Sequence, residues 1–348
     1  MTQPASTLPP LVDSVLQVRK PYVLFLGDVT EATDAKTAFG LRDWCTADCI
    51  GQLRLPACTV DTGLPDLSPI EAKAKGAGSL VIGIAPIGGK LQPHWVPLLV
   101  EVLEAGIDVV SGMHTRLASY PDLVQAAQKG HARLIDIRHY SGPLSVGTGI
   151  KRTGKRVLTV GTDCALGKKY TALAIAQELR RRGLPADFRA TGQTGTLIAG
   201  RGLAVDAVIA DFIAGAAELI SPANQAEHWD VVEGQGSIMN PAYAGVSLGL
   251  LHGSQPDAII VCHDPLRTHI GGMPHIPLVP VEEIVDLTLR LGRLTNPHIR
   301  CVGVSLNTAA MSEAERAAAL AEYEQRLGVP AFDPMQRGVE RVVDFLLA

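Results

Sequence analysis

The stretch RVLTVGTDCALGKKYTALAIAQELRRRG, which begins at Arg156, restricts the fold of this chain more than any other. VLTVG carries β-branched residues and no charge, the composition of a buried strand. TALAIAQELRRRG has apolar residues at helical spacing and ends in three arginines and a glycine, a helix with its stop signal. Between them lies a glycine-bounded loop with a lysine. Backbone N–H groups at such a strand–loop–helix turn converge on an anion, and Lys168 adds a full positive charge. The candidate phosphate-binding loop therefore runs from Gly161 through Thr162, Asp163, Cys164, Ala165, Leu166 and Gly167 to Lys168 and Lys169.

The loop departs from the commonest nucleotide-binding pattern in two ways. Five residues separate Gly161 from Gly167, against four in GxxxxGK[ST]. This longer form, GTDxxxGK, resembles the loop of dethiobiotin synthetase. The second departure is Lys169, which stands where a nucleotide hydrolase places the hydroxyl that holds magnesium. Thr171 lies about 200° further around the helix and is no simple substitute, whereas Thr162 or Asp163 could take the metal. The departure weakens metal-assisted phosphoryl transfer more than it weakens phosphate binding.

Elsewhere, short apolar runs alternate with amphipathic stretches. Strands are expected at YVLFLG from Tyr22, ACTVD from Ala57, SLVIGIA from Ser79, IDVVSG from Ile107 and RLIDI from Arg133. After Arg156 the alternation resumes with AVDAVIA from Ala204, WDVVEG from Trp229, DAIIVC from Asp257 and IRCVGVSL from Ile299. Strands alternating with helices predict parallel, doubly wound sheets. The fold class is α/β, with a parallel-sheet domain followed by a P-loop NTPase-like domain. The expected organisation is a proline-bearing arm over 1–20, a first domain over 21–145, a basic glycine-bearing linker over 146–155 and a second domain over 156–348. No GxGxxG occurs in the first half, which argues against a dinucleotide cofactor.

Bulk properties exclude several classes. Apolar residues make up 47% and charged ones 19%, a globular balance. The net charge of −4 gives no general attraction to nucleic acid or anionic lipid, and no apolar run reaches the roughly 18 residues of a membrane span. The N-terminus lacks the pattern of a secretion signal, and six scattered cysteines suit a reducing cytoplasm. Cys45 and Cys49 have a metal-compatible spacing, but no second pair accompanies them, so no metal site is expected.

A second constellation is WDVVEGQGSIMNPAY. Glu233 ends a strand at the sheet edge that carries the phosphate loop, where open α/β sheets bind ligands; it could instead cap the helix that follows. Between the two lies RATGQTGTLIAGRGLAVDAVIADFIAGAAE, in which Gln193, Thr194, Asp206, Asp211 and Glu218 could face a cleft or serve as caps. In the first half, Asp28 and Lys36 follow the first strand.

Together, GTDCALGKKYTA, ATGQTGTLI, DFIAGAAE, VVEGQGSIMNPAY and LHGSQPDAIIVCHDP resemble the D-glutamate N-acetyltransferase family of two-domain P-loop proteins, over most of the chain. The resemblance implies a Rossmann-like first domain, a small acidic amino acid as substrate and acetyl-CoA as co-substrate. Coenzyme A carries a pyrophosphate and a ribose 3′-phosphate, either of which a basic loop could cradle, with no need of the hydroxyl that Lys169 replaces. The alternatives are a kinase or ligase using ATP with Mg²⁺, and a non-catalytic nucleotide-binding protein.

Acetyl transfer to an amine needs a base, oxyanion donors and cations for the substrate carboxylates. Glu233 or His263 could be the base. Arg189 and Arg267 are candidate clamps, with Gln193 and Thr194 as further substrate contacts. Asn307, at the end of a late strand, occupies a place where related P-loop folds contact a purine. A soluble enzyme of this kind is expected to be a homo-oligomer.

Overall fold

The computed structural model describes residues 18–84, 90–140 and 142–348, so the expected N-terminal arm lies, up to residue 17, outside the described residues. The chain divides into two compact units. One runs to Gly142 and takes back Gln193–Ala207; the other comprises Pro143–Gly192 and Val208–Ala348.

In the first unit, strands β1 (Tyr22–Gly27), β2 (Cys49–Arg54), β3 (Ser79–Ile82), β4 (Asp108–Ser111) and β5 (Leu134–Asp136) form a parallel sheet in the order β2-β1-β3-β4-β5. Helices α1 (Lys36–Trp44), α2 (Pro69–Ala74), α3 (Val96–Glu104) and α4 (Pro121–Gly130) connect the strands. Every residue of β1 is buried, and Trp95, Leu99 and Leu103 belong to the same core. The switch in strand order beside β1 is the usual ligand position of an open α/β sheet. There Asp28 accepts from Trp95 Nε1 at 2.9 Å and pairs with His94 Nε2 at 2.8 Å.

The second unit contains β6 (Lys155–Gly161), α5 (Lys168–Arg181) and β7 (Ala186–Arg189). After α6 (Gln193–Ala199), which belongs to the first unit, come α7 (Ile213–Ile220), β8 (Trp229–Val232), α8 (Ala244–Ser254) and β9 (Ala258–His263). A short antiparallel hairpin, β10 (His269–Ile270) and β11 (Met273–Pro277), precedes α9 (Val281–Gly292), β12 (Arg300–Leu306), α10 (Glu313–Leu327), β13 (Ala331–Phe332) and α11 (Glu340–Leu347). The six-stranded sheet runs β13-β12-β9-β6-β8-β7, all parallel, with β6 between β9 and β8. Chain order reverses on either side of β6, so its C-terminal end opens at a switch point.

Two expected strands are not strands. ACTVD is a loop, because the fully buried Gln52 carboxamide accepts from the Thr62 N–H and hydroxyl and donates to Asp61. The strand is the preceding CIGQLR, paired with β1. AVDAVIA forms a short 3₁₀ turn at Val205–Ala207, where Asp206 pairs with Arg138 of the first unit, and the chain returns to the second unit at Val208. The basic stretch read as a linker is tied to the second unit. The N–H groups of Thr148 and Gly149 donate to Glu218, and Arg152 donates to the carbonyls of Ser221 and Gly253. Glu218 is thus a cap for this segment.

Candidate active site

The residues from Gly161 to Lys168 form a tight turn from β6 into α5. Gly167 sits at φ +97°, a left-handed conformation that L side chains rarely adopt, with open space where a Cβ would point. Ala165 is left-handed as well, at φ +56°. The side chain of Lys168 runs beside Gly234, where a Cβ would collide with the Thr159 carbonyl and crowd the lysine stem. Lys168 is buried, and its ammonium donates to the main-chain carbonyl of Asp163 at 2.6 Å. Burial pulls its pKa down, against the nearby Cys262, Cys164 and Asp163 groups, which pull it up. An arriving phosphate would restore the preference for the charged form.

Both groups that could replace the missing magnesium hydroxyl are engaged. Thr162 Oγ1 lies 2.9 Å from His263 Nδ1. Asp163 is fully buried and accepts from Asn240 Nδ2 at 2.8 Å, Arg267 Nη1 at 3.0 Å and the Gly271 N–H at 2.7 Å. Burial would raise its pKa, but the N–H groups of Gly271 and Cys164, with Asn240 and Arg267, hold it below the usual carboxylate value. Thr171 points into the core, 2.8 Å from the Ser305 hydroxyl. Lys169 lies over the Tyr170 ring, 4.5 Å from its centroid.

Glu233 follows β8 and is buried at the same edge. Its carboxylate accepts from the N–H groups of Thr191 at 3.0 Å and Gly192 at 3.2 Å, and its carbonyl accepts from the Thr191 hydroxyl at 2.6 Å. The next helix starts at Ala244 with Tyr243 as its N-cap, and Glu233 orients the turn after β7. Gln235 adds a bond to the Thr191 hydroxyl at 3.0 Å.

His263 ends β9, with its ring 5.3 Å from that of Tyr323. Burial depresses its pKa to about 4, outweighing Asp264, so the ring is neutral at physiological pH and weakly basic. Its carbonyl accepts from the Asn307 N–H at 2.8 Å, which puts Asn307 at the same sheet edge.

The remaining sequence candidates separate. Arg267 lies on the loop, donating also to the Cys164 carbonyl at 2.8 Å. Arg189 does not join it. Its guanidinium is held by Asp230 at 2.7 Å and Asp187 at 3.0 Å. Those two carboxylates and His228 are grouped closely enough to suggest metal ligands, all ligand atoms lying within 4.8 Å of one another, but Arg189 already supplies the positive charge there. Gln193 and Thr194 belong to the first unit, where Gln193 packs on Gly112 and Thr194 Oγ1 is 3.0 Å from Thr37 Oγ1. Sequence reasoning missed Asn240 and Gly271. The Asn-Pro pair at 240–241 signals a turn, and Asn240 Oδ1 does accept from the Ala242 N–H. Nothing local shows that its amide reaches Asp163.

Comparisons with known proteins agree along the chain. The family described as a domain of unknown function, DUF1611, matches with its P-loop domain over residues 145–343 and with its Rossmann-like N-terminal domain over 54–140. A protein of Pseudoalteromonas sp. called D-glutamate N-acetyltransferase is 46% identical over 328 residues, covering 94% of this chain and 99% of its own. One of the same name from Tritonibacter scottomollicae is 47% identical over 331 residues, covering 95% and 99%. The crystal structure of a DUF1611 family protein from Anabaena variabilis superimposes with a TM-score of 0.84 at 32% identity, covering 94% of this chain and 99% of that one.

Proposed function

The chain belongs to the DUF1611 family, and from that premise we propose that it transfers the acetyl group of acetyl-CoA to the amino nitrogen of D-glutamate. The observation that carries this reading is the pair of nearly full-length relatives at 46% and 47% identity, both called D-glutamate N-acetyltransferase. The second unit supplies what a phosphate-bearing acyl donor needs: the N-terminus of α5, an open left-handed Gly167 and a buried Lys168 that donates to a loop carbonyl. Asn307, at the same edge, is assigned to the purine of the donor.

In the reaction a base takes a proton from the substrate ammonium, the freed amine attacks the thioester carbonyl, and coenzyme A leaves as the thiol. Glu233 is assigned as the base. It is buried at the loop's edge and fixed by two N–H donors, whereas His263 has a pKa of about 4 and its Nδ1 faces Thr162. Arg267 is assigned to the substrate, and Arg189, committed to two aspartates, to support of β7 and β8. The proposal includes a cytoplasmic homo-oligomer. Among the described residues, no helix is long and apolar enough to cross a membrane.

The longer loop spacing favours a second reading, an ATP-dependent kinase or ligase like dethiobiotin synthetase. Lys169 and the engaged Thr162 and Asp163 weigh against it. Calorimetric titration with acetyl-CoA and with ATP–Mg²⁺ separates the two. Acetyl-CoA should bind, and Lys168→Ala should weaken it about ten- to a hundredfold. Binding of ATP–Mg²⁺ alone would reverse the assignment.

A further inference from the structure

We infer that Asp163 is a positioning residue that gathers three loops of the phosphate site into one frame, giving by protein hydrogen bonds the order that a divalent cation gives in metal-using nucleotide enzymes. The inference rests on the acetyl-transfer reading. Asp163 accepts from three donors that lie outside its own loop, one on Oδ1 and two on Oδ2. Asn240 belongs to the loop between β8 and α8, and Arg267 and Gly271 to the segment between β9 and the turn of the β10–β11 hairpin, so with Asp163's own loop three segments meet at one carboxylate. A cation at Oδ2 would have to displace Arg267 or Gly271.

The charges are matched as well as the hydrogen bonds. Arg267 neutralises Asp163, while among the described residues Lys168 bonds only the Asp163 main-chain oxygen, so the lysine's charge is left for the phosphate of a ligand. In metal-using P-loop enzymes the cation bridges loop and phosphates. Here protein hydrogen bonds join the loop, the Asn240 turn and the hairpin directly.

The test compares the full-length wild type with Asp163→Asn, Arg267→Gln and the double variant. Coenzyme A is titrated calorimetrically in EDTA and again in Mg²⁺, alongside steady-state acetylation of D-glutamate. Wild-type affinity should be the same in both buffers. Asp163→Asn should weaken coenzyme A about ten- to a hundredfold and raise KM for acetyl-CoA more than it lowers kcat. The double variant should bind no more weakly than Asp163→Asn alone, because both changes remove one ion pair. Unchanged affinity in Asp163→Asn overturns the inference. So does a wild type that needs Mg²⁺ and loses that need in the variant, which would make Asp163 a metal ligand. Should Asp163→Asn fail to fold, Arg267→Gln carries the test: weaker binding with easier proteolysis within 269–277 is expected, and wild-type behaviour overturns the inference. A wild type that ignores coenzyme A counts against the acetyl-transfer reading, and inorganic pyrophosphate then serves as the probe for Asp163.

Discussion

At the N-terminal edge of the second sheet, Arg156 is fully buried and its guanidinium donates to the Ser221 hydroxyl and to main-chain carbonyls, among them those of Arg152, Thr153 and Pro222. Asp230, beside it in register on β8, accepts from Arg189 and from Ser221. At the C-terminal edge of the same strand, Lys168 is also buried, and its ammonium donates to a carbonyl of its own loop. At one edge Arg189 and Asp230 satisfy each other; at the other Arg267 satisfies Asp163, and Lys168 is the charge that the proposed function gives to an anion from outside. The difference separates charge buried for folding from charge buried for binding. A charge that already has its counter-ion locks structure, and one that lacks it stores affinity for a ligand.

The widest effect should come from the functional edge. Glu233→Gln keeps the size of the side chain but removes the basic oxygen, and should lower kcat about 10²–10⁴-fold with little change in melting temperature. Full activity in this variant would remove Glu233 from the chemistry, and loss only through unfolding would make it a support for the Thr191–Gly192 turn. The opposite edge should respond in stability instead. Asp230→Ala leaves Arg189 without its closest carboxylate and should cost about 3–5 kcal/mol in urea unfolding. If that variant loses acetyl-CoA affinity at unchanged stability, the division between the edges fails.

His263 gives a smaller, pH-dependent signal. Its pKa falls from 6.5 to about 4 on burial, so between those values the unfolded chain binds the proton that the folded chain refuses. Stability from this group is therefore intact above pH 6.5 and is lost as pH falls toward 4, by up to about 3 kcal/mol. Urea titrations at pH 7 and at about pH 4.5 should show a smaller loss for His263→Asn than for the wild type. Equal losses would place the histidine in a more solvated setting than the structure gives it.

Much of the scaffold is legible in the chain because it is local. The β6–loop–α5 unit shows in consecutive residues, as do the apolar cores of β1, β3, β4, β8, β9 and β12. The edge strands β2 and β7 are not legible. CIGQLR and ADFR carry glycine and charges, and become strands only through pairing with β1 and β8. The segment after Gly192 follows the second unit in sequence but packs in the first, with Leu197 in that core and its carbonyl accepting from the Tyr22 hydroxyl. No periodicity signals such an exchange. The frame around Asp163 is hidden for the same reason. Its partners Asn240 and Gly271 lie 77 and 108 residues away, and a hydrogen bond across that distance leaves no local pattern.

The central claim is that this phosphate loop serves an acyl donor without a metal. The most direct measurement is the rate of N-acetyl-D-glutamate formation from acetyl-CoA and D-glutamate, in EDTA and after Mg²⁺ is restored. The account predicts one free thiol per acetylated amine and the same rate in both conditions. Turnover that disappears in EDTA and returns with Mg²⁺, or that consumes ATP in place of acetyl-CoA, would contradict it.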